Sequence, residues 1–115
     1  MKDFKTILYR ILGERIKLRR AELGLSQDYL AKEINIGRTS ISNIESGKHQ
    51  VPLSTLYHIS KVLDIDIHLI LPTFMEIADE VENMKTKDID EYINKENLNS
   101  NQKSDIENIV KNLNV

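Results

Sequence analysis

The 115-residue chain contains no cysteine and no tryptophan, and these absences remove several classes of site. Without cysteine there is no disulfide, no thiolate zinc or iron–sulfur site and no cysteine nucleophile. No apolar run approaches the roughly 18 residues of a membrane span, and the charged start Met1-Lys2-Asp3 is unlike a signal peptide. We therefore expect a cytoplasmic protein without membrane contact, built as one small domain with an appendage.

Neither sign of charge is in large excess over the whole chain, but its parts differ. The 16 Lys and Arg residues and the 18 Asp and Glu residues leave a net charge of -2, which by itself argues against a nucleic-acid binder. Division at Pro72 changes this picture, because residues 1–72 have a net charge of +3 and residues 73–115 have -5. All Arg, Gly and Pro residues lie in the first part. The sequence therefore predicts two regions, 1–72 and 73–115.

Apolar spacing in the first region predicts five short helices and almost no strand. The helices are expected at residues 4–23, 27–34, 38–46, 53–63 and 67–71. Residues that favour helix ends separate them: Ser26 and Gly37 as N-caps, and Gly24, Asn35 and Gly47 as turns at helix C-termini. The predicted fold class is all-α.

The third predicted helix divides into an apolar side and a side of mostly short polar residues. At 100° per residue, Ile41 and Ile44 lie on one side. The opposite side carries four polar residues: Arg38, Thr39, Ser42 and Asn43. Arg pairs with guanine, Asn pairs with adenine, and Ser and Thr bond bases or touch a thymine methyl, so this set suits the major groove of DNA. A solvated helix face is the alternative, although Glu and Lys are better helix formers for that purpose.

Short motifs surround this helix at fixed spacing: Gly24-Leu25-Ser26-Gln27, Leu30-Ala31, Thr39-Ser40-Ile41-Ser42-Asn43-Ile44-Glu45-Ser46-Gly47, and Leu56 with Ile59 and Leu63. Over residues 12–72 this pattern resembles the helix-turn-helix domain of phage repressors and Cro proteins, the xenobiotic-response-element (XRE) type. The resemblance implies a five-helix lambda-repressor-like bundle with its motif at about residues 27–46. It also implies double-stranded operator DNA as partner and no cofactor. The second helix of the motif would enter the major groove, with the preceding helix over the backbone.

The resemblance assigns roles position by position. The base-reading residues would be Arg38, Thr39, Ser42 and Asn43. The phosphate contacts would come from Ser26, Gln27, Ser40, Lys48, Arg19 and His49. Gln27 would also brace the third helix, and Arg20 with Glu45 would form a structural ion pair. Two positions depart from the family: Asn35 stands where Gly is commonest, and Gly37 stands where Ser or Thr commonly caps the recognition helix.

Other candidate sites have simpler explanations. The three histidines, His49, His58 and His68, lack metal-ligand spacing, so no metal site is expected. The acidic pairs at residues 64/66 and 88/90 precede apolar helical patterns, and we expect Asp66 and Asp88 to cap helices. No nucleotide-binding, hydrolase or metalloprotease motif is present, so we expect no enzyme.

The acidic region 73–115 is also predicted to be helical. Residues 73–76 form a capping box that leads into an apolar stripe: Phe74, Ile77, Ala78, Val81 and Met84. Two shorter stripes follow: Ile89, Tyr92 and Ile93, and then Ile106, Ile109, Val110 and Leu113. Such short helices need an apolar partner. We expect this region to pack on the N-terminal stripe at residues 4–11, of its own or a second subunit, and make a homodimer. The alternatives are a docking segment for another protein, such as a toxin or a host factor, and a passive solubilising tail.

Together these expectations describe a sequence-specific transcriptional regulator that represses by binding an inverted-repeat operator as a dimer. Repression is implied by the resemblance alone. An alternative is an antitoxin-type protein that regulates its own promoter and neutralises a toxin through residues 73–115. An adaptor whose helix-turn-helix makes only protein contacts is a third possibility.

Overall fold

The computed structural model describes residues 2–95 and residue 109, and all regular structure in these residues is α-helical. The helices in chain order are α1 (Lys2–Glu22), α2 (Gln27–Glu33), α3 (Arg38–Glu45), α4 (Leu53–Val62), α5 (Ile67–Ile70) and α6 (Phe74–Lys95). The first five correspond to the five helices expected from apolar spacing. The all-α prediction is therefore confirmed.

The chain forms two compact units, Met1–Ile77 and Ala78–Val115. The core of the first unit takes residues from every helix between α1 and α5. Its buried members are Leu12, Ile16, Leu30, Ala31, Ile41, Ile44, Leu56, Ile59, Leu63 and Ile70. The helices from α2 to α5 have ten residues or fewer, which is too short for stability in isolation, so this shared burial holds them together.

The first four helices end in the same way, with one residue in the left-handed backbone region. These residues are Gly24 (φ 68°), Asn35 (φ 58°), Gly47 (φ 77°) and Asp64 (φ 47°). The N–H of the following residue bonds back to a carbonyl of the last turn, as from Lys48 to the oxygen of Asn43 at 2.9 Å. The sequence predicted the first three turns. It did not predict the fourth, because Asp enters this region less readily than Gly or Asn and Asp64 was interpreted only as half of an acidic pair.

Side-chain contacts hold the start of α6 in the first unit. Thr73 and Glu76 form a reciprocal capping box, in which each side chain accepts the other's backbone N–H at 3.1 Å, so this prediction is confirmed. Arg15 of α1 donates a hydrogen bond to the Glu76 carboxylate. The rings of Phe4 and Phe74 lie 5.2 Å apart. These contacts explain why the first unit continues past Pro72 to Ile77.

In the second unit, α6 continues unbroken to Lys95. The prediction that Asp88 caps a helix is wrong, because Asp88 lies inside α6: residues 85–87 are polar but contain no helix breaker. Asp66 does occupy the N-cap position of α5, yet its carboxylate makes no capping hydrogen bond.

Of the predicted dimerisation stripe, Ile109 is helical and 59% exposed, whereas Ile106, Val110 and Leu113 lie outside the described residues. None of the helices in the described part of the chain is long and apolar enough to cross a membrane.

Candidate nucleic-acid interface

The helix predicted to read DNA, α3, is held in the first unit by one side only. Ile41 and Ile44 are buried in the core. On the other side, Arg38, Thr39 and Ser42 are exposed and Asn43 is half-buried. The structure therefore brings the four predicted base-reading residues onto one accessible face. An Arg guanidinium, two hydroxyls and an amide on one helix are groups that can bond base edges in a major groove.

The end of α3 is anchored to α1 through the buried Glu45. Arg20 donates from Nε to Oε2 at 2.7 Å and from Nη2 to Oε1 at 2.9 Å, so the pair is bidentate. Arg20 also donates from Nη1 to the carbonyl of Leu25 at 2.7 Å. These hydrogen bonds to Glu45 raise the pKa of Arg20 above its ordinary value, against the opposing effect of burial. Arg20 therefore stays protonated in the folded protein.

Gln27 belongs to the same network. Its Nε2 donates to Oε1 of Glu45 at 3.0 Å, which joins the first residue of α2 to the last residue of α3. Ser26 precedes it as the N-cap of α2 and accepts the N–H of Tyr29 at 3.0 Å. The Ser26 capping prediction is confirmed. Gln27 donates one amide N–H to Glu45, and the predicted phosphate contact would have to use the second N–H.

A glycine that sequence reasoning passed over sets the distance between α1 and α3. A Cβ at Gly13 would lie 2.7 Å from the carbonyl oxygen of Glu45 and would also collide with that of Ile44. On the other side of this contact, a Cβ at Gly47 would lie 2.9 Å from Cα of Arg10. The two backbones therefore touch. The available signal was a lone Gly inside an apolar helical pattern, which often marks close packing.

The remaining predicted phosphate contacts occupy different settings. Lys48 and His49 are exposed just after α3, and Ser40 is half-buried within it. Lys48 and His49 both donate backbone N–H groups to the Asn43 carbonyl, at 2.9 and 3.4 Å, which fixes the turn that carries them. The Lys48 ammonium has no partner among the described residues, so it remains available to an anion.

Arg19 has a structural task that the sequence did not reveal. Its Nε donates to the carbonyl of Leu63 at 2.9 Å and its Nη2 to that of Asp64 at 3.0 Å, so the guanidinium caps the end of α4. It also lies 3.4 Å from a carboxylate oxygen of Glu22. The phosphate contact expected at Arg19 stays a prediction, and any such contact would have to use its remaining N–H groups.

Comparison with known proteins agrees with this geometry. The helix-turn-helix family model HTH_3 matches residues 16–70. The ImmF control region 10 kDa protein of Bacillus phage phi105 is 32% identical over 69 residues, which are 60% of this chain and 77% of the phage protein. A helix-turn-helix-type transcriptional regulator of Sinorhizobium medicae is 38% identical over 56 residues, which are 49% of this chain and 40% of the regulator.

Among solved structures, the N-terminal DNA binding domain of SinR from Bacillus subtilis is 30% identical and superimposes with a TM-score of 0.52. The superposition covers 56% of this chain and 96% of that domain. The family model spans the end of α1 and all of α2 to α5. The chain belongs to the HTH_3 family of helix-turn-helix proteins, the DNA-binding transcriptional regulators of the XRE type.

Proposed function

We propose that the protein is a repressor, acting in the cytoplasm, that reads a specific operator sequence with α3. The observation that carries the proposal is the division of α3 between its buried apolar side and the accessible face of Arg38, Thr39, Ser42 and Asn43. The phage control-region relative and the DNA binding domain of SinR support a regulatory role at DNA. Repression is carried over from the resemblance to phage repressors.

In this proposal the contacts divide into two classes. The four residues of the accessible face bond base edges and determine the sequence that is bound. Ser26, Gln27, Ser40, Lys48, His49 and Arg19 contact phosphates and set the register. Residues 1–72 carry a net charge of only +3, so few phosphates are neutralised per subunit and non-specific affinity is modest. Useful affinity then depends on base contacts and on a second subunit.

We further propose that two copies bind together on an inverted repeat. A two-fold dimer presents two α3 helices to half-sites about 34 Å, one helical turn of DNA, or a multiple apart. Dimerisation is assigned to the apolar stripe of Ile106, Ile109, Val110 and Leu113. Because the region from residue 73 carries a net charge of -5, it would be repelled by phosphates and face away from the DNA.

Selection from a random duplex pool with the full-length chain tests the proposal. The expected result is one enriched sequence with two symmetric half-sites. Failure to enrich any sequence would reject sequence-specific binding and would favour an adaptor that makes only protein contacts.

The dimer is tested separately with Ile109→Glu, using Asn112→Glu as a control that adds the same charge outside the stripe. Ile109→Glu should make the protein a monomer in sedimentation and should weaken binding to the full site. Binding to a single half-site should not change. If Ile109→Glu remains a dimer, residues 106–113 are not the dimerisation surface.

A further inference from the structure

An acidic side chain lies beside the first of the proposed base-reading residues. Asp28, in the first turn of α2, places Oδ1 3.8 Å from Nε of Arg38, the first residue of α3. Their side chains are 71% and 67% exposed, and they border a cleft of about 490 Å³ together with Lys32 and Ile36. An exposed pair of this kind contributes little to stability. A role for this pair would therefore come from its position at the proposed base-reading face of α3, and not from a contribution to stability.

The geometry of the pair leaves the recognition edge of Arg38 available. The nitrogen nearest to Asp28 is Nε, on the inner edge of the guanidinium. Guanine is recognised bidentately, and the N–H groups on Nη1 and Nη2 at the outer edge can bond its O6 and N7. A carboxylate at Nε can hold the guanidinium plane while the outer edge meets a base. Without it, a long flexible Arg is free to pair with a phosphate instead.

The charge of Asp28 also acts on DNA directly. Asp28 follows Ser26 and Gln27, the residues proposed to meet a phosphate at the start of α2. A carboxylate next to that contact repels every phosphate backbone, whatever the sequence. The repulsion acts at every site and is offset only where Arg38 finds its base, so the same side chain widens the difference in affinity between the operator and unrelated DNA.

We infer that Asp28 is a positioning residue for base reading, which orients the Arg38 guanidinium toward a guanine and suppresses binding to unrelated DNA. The inference rests on the proposed function, because it requires that Arg38 reads a base. Asp28 itself need not touch the DNA.

The test uses Asp28→Asn in the full-length chain, which keeps the shape of the side chain and removes its charge. Binding is measured against the selected operator, against operators changed at each base pair, and against unrelated duplex DNA. We expect the preference at the Arg38 base pair to fall about twofold to fivefold, and affinity for unrelated DNA to rise. Glu33→Gln is the matched control, because it removes the same charge from an exposed position at the other end of α2. It should leave every base preference unchanged.

Arg38→Ala separates the inference from the function on which it rests. If this variant alters no base preference, Arg38 does not read a base. The base-reading role of Arg38 and the positioning role of Asp28 then both fail. If it abolishes the preference at one base pair and Asp28→Asn leaves that preference intact, only the positioning role fails. In the Arg38→Ala protein, a second change of Asp28→Asn should have no further effect on base preference. A further loss there would mean that Asp28 contacts a base itself and would overturn the inference.

Two measurements distinguish a loss of Arg38 positioning in Asp28→Asn from a general loss of folded structure. Asp28→Asn should unfold at nearly the wild-type temperature, since the pair is exposed. Asp28→Glu, which restores the charge on a longer side chain, should recover part of the base preference. If Asp28→Glu and Asp28→Asn lose the same preference, the charge is not what positions Arg38, and the inference is overturned.

Discussion

Arg20 and Glu45 join α1 to the last residue of α3 through two parallel hydrogen bonds of 2.7 and 2.9 Å. The Glu45 side chain is 2% exposed and that of Arg20 is 14% exposed, so the pair is largely withdrawn from water. Glu45 stands two residues after Asn43 on the same helix. The direction in which α3 presents its accessible face is therefore set by rigid internal contacts.

Replacing Glu45 with Ala should destabilise the protein by about 3 kcal/mol, because it leaves the partly buried Arg20 without its charge partner and Gln27 without an acceptor. Urea unfolding of the purified variant measures the change. Loss of DNA binding should follow the loss of folded protein, since Glu45 is buried and cannot itself reach DNA.

Glu14→Ala is the control for this substitution. Its carboxylate lies 3.7 Å from Arg10 in an exposed pair on α1, so its removal should cost about 0.5 kcal/mol or less. If Glu45→Ala and Glu14→Ala cost the same, the Arg20 pair does not support the fold.

Gly13→Ala should also destabilise the protein, although alanine is the better helix former by about 1 kcal/mol. The new Cβ would collide with the backbone carbonyls of Ile44 and Glu45, and backbone atoms cannot move aside as a flexible side chain can. We expect a net loss of about 1–3 kcal/mol in the free energy of unfolding. A gain in stability would show that α1 and α3 are not in backbone contact.

A substitution at Gly37 should act in the opposite direction. Gly37 is the N-cap of α3 with φ -75° and ψ 152°, it provides no side-chain cap, and a Cβ there meets nothing within 4 Å. Ser would add a capping oxygen and restrict the unfolded chain. Gly37→Ser should therefore raise the free energy of unfolding by about 0.5–1 kcal/mol, which urea unfolding measures. Gly24→Ser is the control: it has equal space, but its φ of +68° should make the same exchange destabilising.

These glycines show what the sequence could reveal and what it could not. Gly24, Gly47 and Ser26 act through their own backbone or a neighbouring N–H, so local sequence predicted their turns and cap. Gly13 is needed because its Cα lies against backbone carbonyls more than thirty positions away in the sequence. A local sequence pattern carries no information on such a distant contact. Arg19 is similar, since its acceptors on Leu63 and Asp64 come close only in the folded bundle.

The candidate site divides along the same line. The accessible face of α3 was predictable, because helical periodicity alone separates Ile41 and Ile44 from the polar residues. The partnership of Asp28 with Arg38 was not, because it depends on the angle between α2 and α3. The continuous α6 was misread at Asp88, since a short polar interval in a helix has the same composition as a helix start.

The capping box at the start of α6 should make stability depend on pH in acid. The backbone N–H of Thr73, and then the Arg15 side chain, lower the pKa of Glu76 below its usual range. A lowered pKa in the folded state means that the stabilisation is complete above the ordinary glutamate pKa of about 4.3 and is lost as the pH falls through the folded value.

Glu76→Gln isolates this effect, because Gln retains the capping geometry but cannot carry the charge. The melting temperature of the wild-type protein should exceed that of Glu76→Gln at neutral pH, and the difference should shrink as the pH is lowered below about 4.3. A constant difference across that range would mean that ionised Glu76 contributes nothing to the fold. Asp79→Asn, on an exposed part of α6, serves as the control.

Asn43→Ala and Lys48→Ala should differ in kind as DNA-binding variants, because one side chain is proposed to read a base and the other to neutralise a phosphate. Asn43→Ala should lose about 1–3 kcal/mol at one base pair of the operator and relax the preference there. Lys48→Ala should weaken all sequences about equally and reduce the slope of log affinity against log salt by about 1. Titrations of operator, single-base variants and unrelated duplex at several salt concentrations separate the two effects. If both variants lose affinity uniformly and share one salt slope, the division into base-reading and phosphate-binding residues on α3 and its following turn is wrong.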